Sequence, residues 1–319
     1  MSRTKRMLTG LQPSGVLHLG NYFGAVRPYL ELVNKQNESN LECFLMVADY
    51  HALTSVRDPV MLRNNIMSIV RDYLAYGINP ERVVLFQQSA NPDHMELAWI
   101  FNCLVSVPFL QQAHAFKDKV AKGLEANAGL FTYPMLMAAD IVLYDTDIVP
   151  VGEDQRQHIE YTREAVAKFN SAYGEILRSP KEHIIKDVGV VPGLDGQKMS
   201  KSYGNTIPMF ASRDEIANLV KKIVTDSTGE RPENVYALHR LVRSKNELDR
   251  IYEDHRGQYK ILKDILTEDL DAFMEPLRTA KSNITDETVT SVLKAGNERA
   301  REVSKQTIER VRTAIGINN

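Results

Sequence analysis

The sequence predicts an α/β fold: a Rossmann-like, parallel, doubly wound sheet over residues 1–206, followed by an α-helical C-terminal domain over 207–319. Three observations predict it. Short apolar runs alternate with stretches of helical period in the first part. The first of those runs ends in a glycine- and proline-rich turn that opens a helix. Beyond residue 207 the apolar runs stop, and helical sequence with charges of both signs takes over.

The elements follow in order. Arg6 to Gly10 reads as a short strand that ends in Gly-Leu-Gln-Pro-Ser-Gly. A helix starts at about Leu19, with Tyr22, Phe23, Val26, Leu30 and Val33 at helical spacing. Glu42 to Ala48 is a strand of the buried type. Arg57 to Tyr76 is a helix with Met61, Ile66, Ile69, Val70, Tyr73 and Leu74 on its apolar side. Val83 to Gln87 is the next strand and Met95 to Val105 the next helix. A helical insertion is expected at about 52–130. In such a sheet, ligands sit at the carboxyl ends of the strands, where Gly10–Gly20 and Asp49–His51 fall. The last helix is capped by Thr285, has Asp286 and Glu287 in its first turn, and ends at Gly316. Val289, Val292, Gly296, Ala300, Val303, Thr307, Val311 and Ala314 form its inner stripe, which can pack back on the first domain.

Bulk composition excludes several classes. The 319 residues are 43% hydrophobic and 25% charged, with a net charge of −2, so no global basic field draws the chain to DNA. Cys43 and Cys103 are too few for a disulfide framework, a thiolate metal site or a cluster; no protein-bound metal is expected, and both cysteines read as small core residues. The single tryptophan, Trp99, also reads as core. Met-Ser-Arg-Thr-Lys-Arg is followed by no apolar region, so no signal peptide is expected. There is no apolar run of about 18 residues, so no membrane span is expected and the location is taken as cytoplasmic.

Two segments about 180 residues apart carry phosphate chemistry. The first is Pro13-Ser14-Gly15-Val16-Leu17-His18-Leu19-Gly20-Asn21. Its glycines remove side chains where a nucleotide must approach the backbone, and the helix that follows presents its first N–H groups to phosphate. His18 and Asn21 add side-chain donors. It lacks the Gly-Lys-Ser/Thr ending of a P-loop and the G-x-G-x-x-G of a dinucleotide site. The second is Lys198-Met199-Ser200-Lys201-Ser202, flanked by Gly193, Gly196 and Gly204. A glycine-flanked loop with two ammonium groups and two hydroxyls suits a triphosphate that loses pyrophosphate.

A third region sets the other substrate. Tyr133, Met137 and Asp140 share one face of an apolar helix. A lone carboxylate there is costly unless it meets a donor, either an N-terminal backbone group or a ligand N–H such as an indole. Next, Ile148 to Val151 reads as a strand, Gly152 as its end, and Glu153-Asp154 as the start of a helix. Gln155 can meet an ammonium group and Asp154 a ribose hydroxyl.

These motifs resemble the class I aminoacyl-tRNA synthetases. His18-Leu19-Gly20-Asn21 matches that class's His-Ile-Gly-His element, with Asn21 for the final His, and Lys198 to Ser202 matches its second signature unchanged. Gly10 to Gly15, Met137 to Asp140 and Pro150 to His158 resemble the bacterial tryptophanyl family within the class. The likeness covers residues 8–206 and continues more loosely to the C-terminus. It implies a ligase that joins L-tryptophan to ATP as tryptophanyl-adenylate and then to tRNA(Trp), with Mg²⁺ accompanying ATP. It implies that His18, Asn21, Lys198 and Lys201 are catalytic, and that Gln12, Pro13, Ser14, Gly20, Asn21, Gly152, Glu153, Asp154, Val191, Lys198, Met199, Ser200, Lys201 and Ser202 bind ATP. It further implies that Asp140 accepts the indole N–H and that Tyr133, Met137, His51, Val149, Val151 and Gln155 line the pocket. By the same resemblance, 207–319 reads the anticodon, and the chain forms a homodimer bridged by one tRNA. Two departures stand out: Leu8 replaces a common aromatic, and His18 stands where many relatives carry threonine. The alternatives are a tyrosyl-tRNA synthetase and a non-catalytic tRNA-binding paralogue.

Overall fold

A computed structural model describes residues 3–35, 41–121, 123, 126–152, 156–184, 190–225 and 231–317. Strand β1 (Lys5–Leu11) leads through the glycine-rich turn into α1 (Leu19–Asn21), a π-helical segment (Tyr22–Val26) and α2 (Arg27–Lys35), which follow one another without a break. Then come β2 (Leu41–Val47), α3 (Asp49–Ala52), α4 (Pro59–Ala75) and β3 (Val83–Gln87). Helices α5 (Asp93–Leu104), α6 (Val107–Leu110), α7 (His114–Ala121) and α8 (Ala128–Val142) precede β4 (Ile148–Val151), α9 (Arg156–Tyr173) and β5 (Lys181–Ile184). The remainder is helical: α10 (Arg213–Lys221), α11 (Glu233–His239), α12 (Lys245–Asp254), α13 (Tyr259–Ser282) and α14 (Asp286–Ile315).

The five strands make one sheet in the order β3-β2-β1-β4-β5, with every pair parallel. The order reverses between β1 and β4, which creates a crevice at the carboxyl ends of the central strands. Strand side chains alternate between two cores, as the two-residue period requires. Met7, Cys43, Leu45, Val83 and Leu85 face a core completed by Leu19, Phe23, Val26, Ile69, Leu266 and Leu270. Leu8, Phe44, Met46, Val84 and Phe86 face the other, with Leu97, Phe101, Met135, Ala138, Phe169 and Ile308. Burial on both faces explains why β2 and β3 read as nearly continuous apolar runs, whereas β1 buries only Met7 and Leu8.

The expected insertion at about 52–130 contains β3, an edge strand of the sheet itself. Along that strand lies α14. Its Gly296 packs so close that a Cβ there would fall on the carbonyl oxygen of Leu85. The neighbouring Asn297 Oδ1 accepts the Gln87 backbone N–H at 2.8 Å, which satisfies an edge donor. Ion pairs Arg71–Asp286, Arg310–Asp145 and Arg312–Glu96 hold the two ends of the helix.

Several expectations need correction. Strand β5 has no apolar run: Lys-Glu-His-Ile pairs with β4 alone at the sheet edge. Trp99 is not core but 70% exposed, and Cys103 is exposed with it. The inward side of α5 is taken by His94, Leu97, Ala98 and Phe101, so Met95, Trp99 and Cys103 face outward at four-residue intervals. On α14 the buried stripe runs through Leu293, Ser304 and Ile308 beside the expected Val289, Gly296, Ala300, Thr307 and Val311. Val292 and Val303 are only partly buried.

Candidate active site

The first motif occupies the crevice end of β1. Gly15 adopts φ +106°, which the turn requires and which a side chain would oppose. Pro13 is buried, while Gln12 and Ser14 are exposed beside it. His18 forms the N-cap of α1 in extended conformation, and its N–H donates to Asn21 Oδ1 at 3.1 Å. That bond fixes the amide of Asn21 and leaves its NH₂ as the donor. The His18 ring is buried, and its Nδ1 has no hydrogen-bond partner among the described residues. Burial and then the charge of Lys201 lower its pKa to about 4, so the imidazole is neutral at pH 7.

The second motif lies directly against the first. Lys201 Nζ donates to Ser14 O at 3.2 Å, and the Gly20 N–H reaches Met199 Sδ at 3.3 Å. The chain that leaves the loop is bound to the chain around His18: Leu19 N donates to Ile207 O at 3.0 Å and Met209 N to Leu17 O at 2.9 Å. The expected free N–H groups at the start of the helix are therefore occupied. Leu19 is spent on backbone, whereas Gly20 meets only a thioether, a weak acceptor that a phosphate oxygen can displace. Burial lowers the pKa of Lys201.

Asn205 staples the loop. Its Oδ1 accepts Ser200 N at 2.8 Å, and its NH₂ donates to Asp195 Oδ1 at 2.7 Å and Lys198 O at 3.1 Å. Val191 O accepts Met199 N at 2.8 Å, so the expected adenine neighbour anchors the loop's other side. Ser200 Oγ accepts the Ser202 N–H at 3.3 Å, and Lys198 and Ser202 are exposed.

The third region closes the crevice. Asp140, 1% exposed, is met by three donors: His51 Nε2 at 2.7 Å on Oδ2, and Gln88 Nε2 and His94 Nδ1 at 2.7 Å each on Oδ1. Burial alone would raise its pKa; His51, by charge and hydrogen bond, and the hydrogen bond from His94 outweigh burial and hold it at about 2. The ring of Tyr133 sits 6.4 Å from that of His51 and 5.4 Å from that of His158. The Tyr133 hydroxyl is buried with no hydrogen-bond partner among the described residues. Met137 is partly buried on the same helix, and Val149 and Val151 are buried on β4. Gly152 ends β4; Glu153, Asp154 and Gln155 lie outside the described residues.

Sequence reasoning missed Gln88, His94 and Asn205. Gln88 directly follows β3 at its carboxyl end, a position where the fold places ligand groups, and this was a usable signal. His94 carries a weaker one: it shares the apolar face of α5 with Leu97 and Phe101. Nothing local marks Asn205. The arrangement joins a glycine-rich turn, a lysine loop docked on it and a buried carboxylate held by three donors.

The profile of the family "tRNA synthetases class I (W and Y)" matches residues 2–288. The chain belongs to this family of class I tRNA synthetases. It is 42% identical to the tryptophan–tRNA ligase of Fusobacterium nucleatum, over 98% of both chains. It is 43% identical to that of Rhodopirellula baltica, over 98% of this chain and 99% of the other. Among solved structures, the tryptophanyl-tRNA synthetase of Campylobacter jejuni complexed with ADP and tryptophan superposes with a TM-score of 0.89 at 38% identity. That match covers 98% of this chain and 99% of the other. A tyrosyl-tRNA synthetase from Archaeoglobus fulgidus shares the fold at a TM-score of 0.66 and 19% identity.

Proposed function

We propose that this class I synthetase is a tryptophan–tRNA ligase: it activates L-tryptophan with ATP and transfers it to tRNA(Trp). The observation that carries the choice of amino acid is Asp140, a buried, ionised acceptor bonded to His51, whose ring lies 6.4 Å from that of Tyr133. An indole N–H is a matching donor, and a site built around such a bond rejects analogues without it by roughly 10⁴-fold or more.

In the first step a tryptophan carboxylate oxygen attacks the α-phosphorus of ATP. A bond forms to that phosphorus, and the bond to the bridging oxygen breaks, so pyrophosphate leaves with the electron pair. No side chain forms a covalent intermediate. Rate comes from positioning and from charge stabilisation by Lys198, Lys201, neutral His18 and the NH₂ of Asn21, with Mg²⁺ entering on the triphosphate. Gln12, Pro13, Ser14, Gly20, Gly152, Val191, Met199, Ser200 and Ser202 are assigned to the nucleotide, and the resemblance adds Glu153 and Asp154. Tyr133, Met137, Val149 and Val151 are assigned to the indole, and the resemblance gives the ammonium group to Gln155. In the second step a ribose hydroxyl at the tRNA end attacks the adenylate carbonyl and AMP leaves.

Residues 207–319 form the anticodon-reading part, the protein acts in the cytoplasm, and two copies pair. The exposed stripe Met95, Trp99, Cys103 and Val107 supports pairing. The deciding experiment is ATP–pyrophosphate exchange without tRNA, with tryptophan and tyrosine in parallel. Exchange with tryptophan alone is expected, and Lys198→Ala or Lys201→Ala should slow it by about 10²–10³. Exchange with tyrosine instead would assign the sister activity.

A further inference from the structure

We propose that His94 is a positioning residue for amino-acid selection: a buried hydrogen-bond chain that starts on the C-terminal helix orients it to hold Asp140, leaving Oδ2 to receive the substrate N–H. The inference rests on the reading of Asp140 as the indole acceptor.

The chain is continuous. Ser304 on α14 donates to Asp93 Oδ2 at 2.8 Å. Asn91 uses its NH₂ twice, to Ser304 Oγ at 2.8 Å and to the Tyr144 oxygen at 3.3 Å. Tyr144 OH lies 2.8 Å from His94 Nε2, and His94 Nδ1 lies 2.7 Å from Asp140 Oδ1. Asn91, His94, Asp140, Tyr144 and Ser304 are all buried.

Proton counting gives the stretch from Asn91 to Asp140 one direction. Ionised Asp140 accepts only, so His94 must donate from Nδ1. Tyr144 already accepts from Asn91 and has one proton, which goes to His94 Nε2. The neutral Nδ1–H tautomer satisfies every group, whereas an imidazolium would leave the buried Tyr144 proton without an acceptor. Burial raises the Tyr144 pKa well above its ordinary value, which keeps that proton in place. The His94 ring is further stacked on Phe86, at 6.3 Å and 20° between planes.

The consequence falls on Asp140. Its Oδ1 accepts from both Gln88 and His94, whereas Oδ2 accepts from His51 alone among the described residues. A carboxylate oxygen takes two donors, so Oδ2 retains the lone pair for an indole N–H. Without His94 the carboxylate can rotate and exchange its oxygens, which weakens that bond without touching the phosphate chemistry.

The test compares His94→Asn, His94→Gln, Tyr144→Phe, Ser304→Ala and Asp140→Ala by pyrophosphate exchange, with tryptophan and phenylalanine as substrates. Asn places an amide NH₂ where Nδ1 stands but gives up the bond to Tyr144, so it should raise the KM for tryptophan clearly less than Gln does. Gln reaches the Nε2 position instead, loses the donor to Asp140, and should raise that KM by about 10-fold or more with kcat little changed. It should also lower the preference for tryptophan over phenylalanine. Tyr144→Phe and Ser304→Ala should move the same two quantities in the same direction, by less at each step away. If His94→Gln keeps the parental KM and preference while Asp140→Ala loses preference, the relay is wrong and the acceptor reading stands. If Asp140→Ala keeps its preference, the acceptor reading itself fails. Thermal melts of each variant separate loss of fold from loss of orientation.

Discussion

At the residue scale, His18 shows how burial sets chemistry. An imidazole with pKa of about 4 donates a hydrogen bond at neutral pH without carrying charge, next to a lysine that could not tolerate a second cation so close. The same shift has a stability consequence. In the unfolded chain His18 takes up a proton as pH falls through about 6.5, whereas the folded chain resists until about 4. The unfolded state therefore binds more protons inside this window, and stability falls as pH falls through it. Above it the effect vanishes. Urea midpoints measured from pH 7 to pH 4.5 should drop less for His18→Asn than for the parent, so that the two curves converge on acidification. Parallel curves would mean that His18 is not held neutral by the fold.

At the scale of elements, the close approach of α14 to β3 turns on a single glycine. Replacing Gly296 by Ala should favour the helix by about 1 kcal/mol on propensity alone. The added methyl, however, meets the Leu85 carbonyl, which is backbone in a paired strand and cannot rotate away. Overpacking of this kind costs about 1–3 kcal/mol, with the upper end expected here because the strand cannot yield. The clash should win, and Gly296→Ala should lower the urea midpoint. A midpoint at or above the parental one would show that α14 can slide off the strand. The same pair of elements explains what the sequence made legible. Strands β2 and β3 are buried on both faces and so are largely apolar; β5, polar and paired on one side, had no such signature. The caps of α14 were legible because Thr285 and Gly316 act locally. The two phosphate motifs were legible because turn and loop chemistry is written in consecutive residues. His94 was not, because its partners lie on other elements that only the fold brings together; Gln88 carried a usable signal in its place after β3, and Asn205 binds its own loop with no local pattern to mark it. Trp99 was misread for a related reason. Helical spacing groups it with Met95 and Cys103 but does not say which side of α5 meets the sheet.

At the scale of the whole molecule, that outward stripe is the feature the single chain leaves uncovered. Met95, Trp99 and Val107 are about half exposed or more, and Cys103 lies between Trp99 and Val107 in sequence. A tryptophan buries on the order of 200 Å² or more when covered, a sizeable part of the roughly 800 Å² per partner of a standard interface. Aromatic residues at the centre of such a patch carry a disproportionate share of the association energy. If two copies pair through this face, Trp99→Glu would bury an unpaired carboxylate at the contact and weaken the dimer by about 100-fold or more. Sedimentation velocity over a concentration series should then show the parent as a dimer and the variant as a monomer at micromolar concentration. The Asp140 cluster and the lysine loop lie within one chain, so the monomer should retain most of its tryptophan-dependent pyrophosphate exchange. Transfer to tRNA should fall, because a tRNA bridging two copies would lose half its contacts. A variant that remains dimeric would place the interface on another face. A monomeric variant with transfer undiminished would show that one copy suffices for the tRNA.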